Sequence, residues 1–231
     1  YGDWKTTAQA PAKGPQALDI PDESSTRVFA LPVRGRTSKI LLIDRAPSRL
    51  SEDYLPFSVL VRILGQMFTS NLNMTLREEH GTSYGVSAEY DADSQHGELF
   101  LMTQVSASNL SFALRAIVDE LVRLREEGPT EQEIEAARAT MLAELSQSLE
   151  MVRSASGTLA TLFSTGQSPD ELERQHAEIS AMRQGRVRDV ARQWLRPTKA
   201  PIAVTGEDRW MLQQAVQQAR VGGVTFLSPA D

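Results

Sequence analysis

The sequence contains no cysteine and only three histidines, His80, His96 and His176. Without cysteine the chain can form no disulfide framework, thiol nucleophile or cysteine-ligated zinc site. The histidines fall at a predicted helix end, in a predicted hairpin loop and on a solvated helix, so none is placed to act as a catalytic base. No H-x-x-E-H or H-E-x-x-H occurs, and zinc needs three or four ligands at workable spacing. We therefore predict that this chain alone holds no metal.

Other absences narrow the function further. No apolar run approaches the ~18 residues of a membrane-spanning helix, so we expect no membrane span. The formal charge is −6, from 24 Lys and Arg against 30 Asp and Glu, and the cations form no stripe along the sequence. This balance argues against nucleic acid as a partner. No glycine-rich phosphate loop and no G-x-S-x-G motif is present, which removes the signatures of nucleotide-binding proteins and serine hydrolases.

Residues 5–25 have the composition of an extended linker, because they hold three prolines and are otherwise mostly small or polar. From residue 27 onward the pattern is that of a folded domain. Residues 27–33 and 39–45 are strand-like, and two further strands, at 83–92 and 97–106, flank a turn-rich segment and predict a hairpin. We therefore expect antiparallel pairing in the first part of the domain.

The rest of the domain is mostly helical in pattern. A helix at 108–127 is followed by a capping box at Thr130 and Glu133, which predicts a long helix through residues 133–157. A strand, a helix and a strand close the chain within residues 199–227. Hairpins with consecutive helices predict an α+β two-layer sandwich, with a mixed or antiparallel sheet and the helices packed on one face.

One stretch, LREEHGTSYGVSAEY at residues 76–90, places an arginine and a tyrosine on either side of a predicted helix-to-strand turn. Arg77 offers planar, permanently charged donors, and Tyr84 offers one hydroxyl on a rigid ring. Together at a strand edge they could hold a peptide carbonyl or stabilise an oxyanion. From these residues alone, a surface arginine and a core tyrosine are the favoured interpretation, and a functional pair is the alternative.

Residues 63–90, ILGQMFTSNLNMTLREEHGTSYGVSAEY, resemble the pitrilysin/insulysin-type (inverzincin) zinc metallopeptidases. That family includes the mitochondrial processing peptidases and the core proteins of the respiratory bc1 complex. The family motif L-R-E-x-x-G-x-[ST]-Y is matched here by Leu76, Arg77, Glu78, Gly81, Ser83 and Tyr84. Flanking text at 44–48, 120–138 and 204–208 also fits, so the resemblance covers nearly the whole chain.

The resemblance implies an organisation and a division of labour. In that family related α+β domains face one another around a chamber: one binds zinc through H-x-x-E-H, and the opposite half supplies an arginine and a tyrosine to the substrate. This chain lacks H-x-x-E-H, so it resembles the half without zinc. Residues 1–26 then correspond to the end of a preceding domain plus linker, and residues 27–231 to a peptidase repeat domain without zinc ligands.

Two functions follow as expectations. In the first, the chain is the non-zinc half of a zinc metalloendopeptidase, and Arg77 and Tyr84 contact the peptide substrate and the transition state. No catalytic residue lies on this chain alone, and zinc is expected in a partner half, in the same parent chain or a separate subunit. In the second, the chain is a non-catalytic scaffold or core-type subunit. The compartment stays open; the absent cysteine and the family's habit favour a periplasmic or secreted setting.

Overall fold

The computed structural model describes residues 26–79 and 83–228, without the side chains of residues 26, 27, 78, 79, 83 and 84. Its centre is one six-stranded sheet with the order β3-β4-β2-β5-β1-β6. The strands are β1 (Thr26–Pro32), β2 (Thr37–Ala46), β3 (Ser83–Ala92), β4 (Gly97–Ser106), β5 (Ile202–Gly206) and β6 (Gly223–Phe226).

Short π-helical and 3₁₀ turns adjoin the first three helices. They are α1 (Tyr54–Val61), α2 (Asn71–Met74), α3 (Leu110–Glu126), α4 (Glu131–Glu150), α5 (Val152–Ser164), α6 (Glu171–Ser180), α7 (Gln184–Trp194) and α8 (Arg209–Ala219). A first π turn (Arg62–Gln66) follows α1, a second π turn (Thr75–Glu79) follows α2, and a 3₁₀ turn (Ala107–Asn109) precedes α3. None of the helices in the described ranges is both long and apolar enough to cross a membrane.

The sheet is mixed, as expected. Strands β3, β4 and β2 are antiparallel neighbours, with register pairs such as Leu41 to Met102 and Met102 to Ser87. Strand β1 runs parallel to both β5 and β6. Helix α8 joins β5 to β6, because two strands of the same direction need a crossover connection. The α+β prediction is therefore confirmed.

The two faces of the sheet differ in burial. Along β2, residues alternate between the core and an exposed or half-buried surface. Ile40 and Leu42 are among the largest fully buried side chains, together with Phe57 of α1 and Leu114 of α3. The other face, called the open face here, carries Lys39, Leu41, Ile43 and Arg45 of β2. This alternation confirms helices packed on one face of the sheet.

The predicted long helix is wrong beyond residue 150. The capping box is present, since Thr130 Oγ1 accepts the Glu133 N–H and Glu133 accepts the Thr130 N–H. However, Met151 adopts an extended conformation and separates α4 from α5. No residue from 142 to 161 is buried, so this stretch lacks the buried face that would favour one continuous helix. The break lets the chain turn back, and Leu162 returns to the buried interior with 1% of its surface exposed.

A buried ion pair connects the sheet to the segment that follows α7. The Asp44 carboxylate, only 3% exposed, pairs with the Arg196 guanidinium, whose Nε lies 2.8 Å from Asp44 Oδ1. The Arg45 N–H also donates to Asp44 Oδ1 at 2.8 Å. Burial raises the pKa of the Asp44 carboxyl, and the hydrogen bond and positive charge of Arg196 oppose that shift. Arg196 therefore offsets part of the free-energy cost of burying the Asp44 carboxylate.

We predict that Arg196→Met lowers the free energy of unfolding by about 3–5 kcal/mol at neutral pH, because it leaves a buried carboxylate without its partner. A carboxyl whose native pKa is raised binds its proton more tightly in the folded state, so folding loses stability as the pH rises through that pKa. The loss should therefore be smallest near pH 4 and grow toward pH 7. Urea unfolding at several pH values measures this dependence.

The double variant Asp44→Asn/Arg196→Met is the matched control. It keeps an acceptor for the Arg45 N–H but removes the titrating group, so the added pH dependence should vanish. A single variant with an unchanged unfolding midpoint at pH 7 would show that the pair contributes nothing.

Candidate functional site

The site forms around the buried side chain of Asn73, at the edge of the sheet. Its Oδ1 accepts the Val86 N–H at 2.7 Å, and its Nδ2 donates to the carbonyls of Met67 at 3.1 Å and of Gly65 and Val86, both at 3.3 Å. One amide therefore joins the first π turn, the loop after it and strand β3. Ser70 caps α2 by accepting the Asn73 N–H, which fixes the orientation of the asparagine backbone as well.

Strand β3 begins with an irregular register, next to the Val86 N–H and carbonyl to which the Asn73 amide bonds. Its register with β4 shifts between Ser83 and Val86, and Gly85 has a φ of +128°. A Cβ at Gly85 would lie 2.9 Å from Asn73 Oδ1. The displaced Gly85 carbonyl accepts the Thr103 hydroxyl at 2.9 Å. Glycine is required here both by the backbone conformation and by the close approach of Asn73.

Arg77 lies in the second π turn, just before this irregular strand start. Its guanidinium stacks on Phe68, with Cζ 3.9 Å from the ring centroid. The ring itself is 66% exposed, so the pair lies at the protein surface. Stacking attracts the cation to the ring face and leaves the edge N–H groups of the guanidinium free to point elsewhere. Phe68 thus orients the arginine predicted from the sequence motif.

The second predicted residue, Tyr84, is the second residue of β3. Its side chain falls outside the described part of the structure, as do His80 and Gly81. The proximity of the Tyr84 hydroxyl to the Arg77 guanidinium therefore stays a prediction. The Arg77 side chain is partly exposed.

Arg77 and Phe68 border a cavity of about 640 Å³ on the open face of the sheet. Strands β2, β3 and β4 form its floor, and the first π turn and the Phe68 loop form its wall. Its described lining residues are Lys39, Ile40, Leu41, Gly65, Gln66, Phe68, Asn73, Arg77, Gly85, Val86, Ser87, Met102, Thr103 and Gln104. Two of them, Lys39 and Arg77, are cations, and none of the described ones is acidic.

A charged network braces the other side of the Phe68–Arg77 segment. Glu120 of α3, which is buried, accepts from the Asn71 amide at 2.7 Å and from Arg123 at 2.8 Å. Arg123 also pairs with Glu133 of α4 at 2.7 Å. The hydrogen bond from Arg123 to Glu120 raises the pKa of the arginine, so the cation is permanent. Helix α2 is therefore attached to α3, and α3 is in turn attached to α4.

Residues 26–79 and 83–228 contain no group of three or more histidine, aspartate or glutamate side chains that could hold a metal ion. His96 lies in the hairpin turn, where its main-chain N–H donates to Asp93 Oδ1 at 2.7 Å. His176 is exposed on α6. Neither described histidine lies among the lining residues of the cavity.

Three residues of this site were missed by the sequence analysis: Lys39, Phe68 and Asn73. Gly85 carried a usable signal, because a glycine inside an alternating strand pattern indicates a bulge or a close backbone approach. Asn73 carried none, since its partners lie in the first π turn and in β3. Phe68 and Lys39 match the ordinary pattern of a loop aromatic and an exposed strand cation.

Comparison with known proteins identifies the family. A profile of the family described as "Peptidase M16 inactive domain" matches residues 1–141, more than half of the chain. The chain belongs to this family. This agrees with the resemblance to zinc metallopeptidases and with the absence of the H-x-x-E-H motif from the sequence.

A curated relative of this M16 inactive domain is the uncharacterized zinc protease YmxG of Bacillus subtilis. It is 28% identical over 138 residues, which are 58% of this chain and 33% of YmxG. The chain therefore spans about a third of the length of that relative.

Solved structures with the same fold include a peptidase M16 inactive domain from Pseudomonas fluorescens, with a TM-score of 0.73 and 19% identity over 80% of this chain and 44% of that one. A chain of Complex III2 from Candida albicans is also similar, with a TM-score of 0.69 and 14% identity over 84% of this chain and 49% of that one. At these identities the likeness shows a shared fold.

We predict that Gly85→Ala lowers the free energy of unfolding by about 1–3 kcal/mol, because an alanine is strained at a φ of +128° and its Cβ meets Asn73 Oδ1. Gly157→Ala is the matched control. Gly157 lies inside α5 with open space around it, so its replacement should raise stability by about 0.5–1 kcal/mol. Chemical unfolding measures both. A Gly85→Ala variant as stable as the parent would contradict the role given to this glycine.

Proposed function

We propose that this domain is the non-zinc half of a zinc metalloendopeptidase, in which Arg77 and Tyr84 contact the peptide substrate and its transition state. The observation that carries the proposal is the Arg77 guanidinium, which stacks on the Phe68 ring at 3.9 Å on the rim of the 640 Å³ cavity. An arginine held at the border of a concave surface is ready to meet a ligand, whereas a solvated surface arginine has no fixed orientation. Membership of a peptidase family supports a peptide as the substrate class.

The chemistry assigned to Arg77 follows from its geometry. The planar fork of N–H donors can hydrogen-bond to a peptide carbonyl and strengthen those bonds as the oxygen becomes negative. Stacking on Phe68 and the junction at Asn73 fix the arginine before the substrate arrives, so little reorganisation is needed during the reaction. Tyr84 would add one neutral donor to the same oxygen or to the next carbonyl.

The partner half completes the site in this proposal. Zinc bound there would supply an activated water that attacks the scissile carbonyl. The zinc-binding half belongs either to the same parent chain or to a separate subunit, and residues 1–26 would be the end of a preceding domain and its linker. The domain alone would then bind peptide without cleaving it.

A second candidate function is a scaffold within a larger complex. Its support is the shared fold with a chain of Complex III2 from Candida albicans. A scaffold has no chemical need of an oriented arginine at a cavity rim, and for this reason we favour the peptidase. The two functions differ in whether Arg77 affects peptide hydrolysis.

We predict that Arg77→Ala or Tyr84→Phe lowers kcat by about 10²–10³ when the domain acts with its zinc-binding half, as expected for the loss of one oxyanion donor. Arg77→Lys should restore only part of the activity, since an ammonium cannot form the planar fork. The measurement is cleavage of a fluorogenic peptide, with circular dichroism to confirm folding. Arg45→Ala is the control, because Arg45 is also an exposed arginine of the open face but does not line the cavity.

Full activity of both Arg77→Ala and Tyr84→Phe, with activity abolished by a chelator, would assign catalysis to the zinc half alone. No hydrolysis by any combination of the two halves would favour the scaffold. The isolated chain, washed with a chelator and exposed to zinc, should retain less than one equivalent of the metal.

A further inference from the structure

The charged lining of the open-face cavity points to a selective subsite. We propose that this cavity binds a carboxylate of the peptide, with Lys39 as the specificity-determining residue, so that the preferred substrates are acidic peptides. The inference rests on the proposed function, because it takes a peptide as the ligand. It goes further by naming the chemistry that the substrate must carry beyond the cleaved bond.

Lys39 is well placed to reach into the cavity from its far side. It lies on β2 opposite Gln104 of β4, and both side chains are exposed on the open face. Strand β3 lies on the other side of β4, so Lys39 and the Arg77 edge are separated by two strand spacings, about 10 Å. A peptide held near Arg77 can therefore extend one side chain across β4 toward the Lys39 ammonium.

The described lining of the cavity offers a carboxylate two cations and contains no acidic side chain. Among the residues that the structure describes, Lys39 forms no ion pair. Its hydrogen bond to Thr205 Oγ1, at 3.0 Å, comes from the main-chain N–H and does not involve the ammonium group. An acidic residue on the same face, Glu89, is paired in register with Phe100, two open-face rows beyond Lys39. Four residues along a strand span about 13 Å, which exceeds the Debye length at physiological ionic strength.

The remaining lining fits the stem of an acidic side chain. Leu41 and Met102 form an apolar floor between Lys39 and the Arg77 edge, and Phe68 forms an apolar wall. Gln66 and Gln104 add neutral donors. An acidic side chain fits this lining, because its hydrocarbon stem can contact the apolar floor and wall while its carboxylate reaches a cation. A cationic side chain would instead lie near a like charge at both ends of the cavity.

Isothermal titration of this chain with unlabelled peptides tests the inference without zinc or hydrolysis. The peptide set crosses an internal Glu or Gln with a C-terminal acid or amide, so that a side-chain carboxylate and a chain-terminal carboxylate are distinguished. We expect the Glu peptides to bind about 3–10-fold more tightly than the Gln peptides. Raising NaCl from 50 to 500 mM should shrink that ratio, since it arises from charge.

Lys39→Gln should abolish the preference for the carboxylate, and Lys39→Glu should reverse it. Arg45→Gln, a loss of the same charge on the same strand and face but outside the cavity lining, should keep the preference. A preference confined to the C-terminal acid, and lost in Lys39→Gln, would assign the subsite to the peptide terminus. Equal binding of all four peptides, a preference that survives Lys39→Gln, or no binding at millimolar peptide would overturn the inference.

The outcomes separate this inference from the proposed function. A carboxylate preference without hydrolysis in any combination of halves would leave the subsite standing and remove the peptidase role. Hydrolysis that depends on Arg77 but ignores Lys39 would do the reverse.

Discussion

The hydrogen bonds of one buried amide hold the site together. The Asn73 side chain hydrogen-bonds to the N–H and the carbonyl of Val86, and to the carbonyls of Gly65 and Met67. Only 5% of the residue is exposed. Leaving a buried amide without hydrogen-bond partners costs free energy, so separating these segments from one another is unfavourable. Phe68 and Arg77 lie on either side of Asn73, and their stacking depends on this junction.

The architecture explains why the cavity lies where it does. The helices cover one face of the sheet and leave the open face accessible. Strand β3 lies at the edge of the sheet, and the first π turn and the Phe68 loop, which precede β3 in the chain, border the cavity there. Lys39, Leu41 and Met102 lie on the open face, so the packing of the core does not require these particular side chains. Such side chains can vary while the fold persists, which fits the fold that this chain shares with solved structures at 14–19% identity.

Local patterns predicted the fold well, and they predicted the site only in part. Strand alternation around Leu41 and the capping box at Thr130 are properties of neighbouring residues, and both appear in the structure as expected. Arg77 was identified by a motif. Asn73 could not be, because its partners meet only after the chain has folded. The break at Met151 was missed for a similar reason: helical propensity continues there, but nothing buries the helix.

The second π turn has a consequence for how this site can vary in length. A π turn holds one residue more than the α-helical turn it replaces, and one residue corresponds to about 100° of helical rotation. The turn absorbs this extra residue, so the residues beyond it keep their helical phase and only the residues inside it are displaced. Arg77 lies inside this turn and follows the fully buried Leu76, so the direction of its guanidinium depends on how many residues the turn holds as well as on which residues they are.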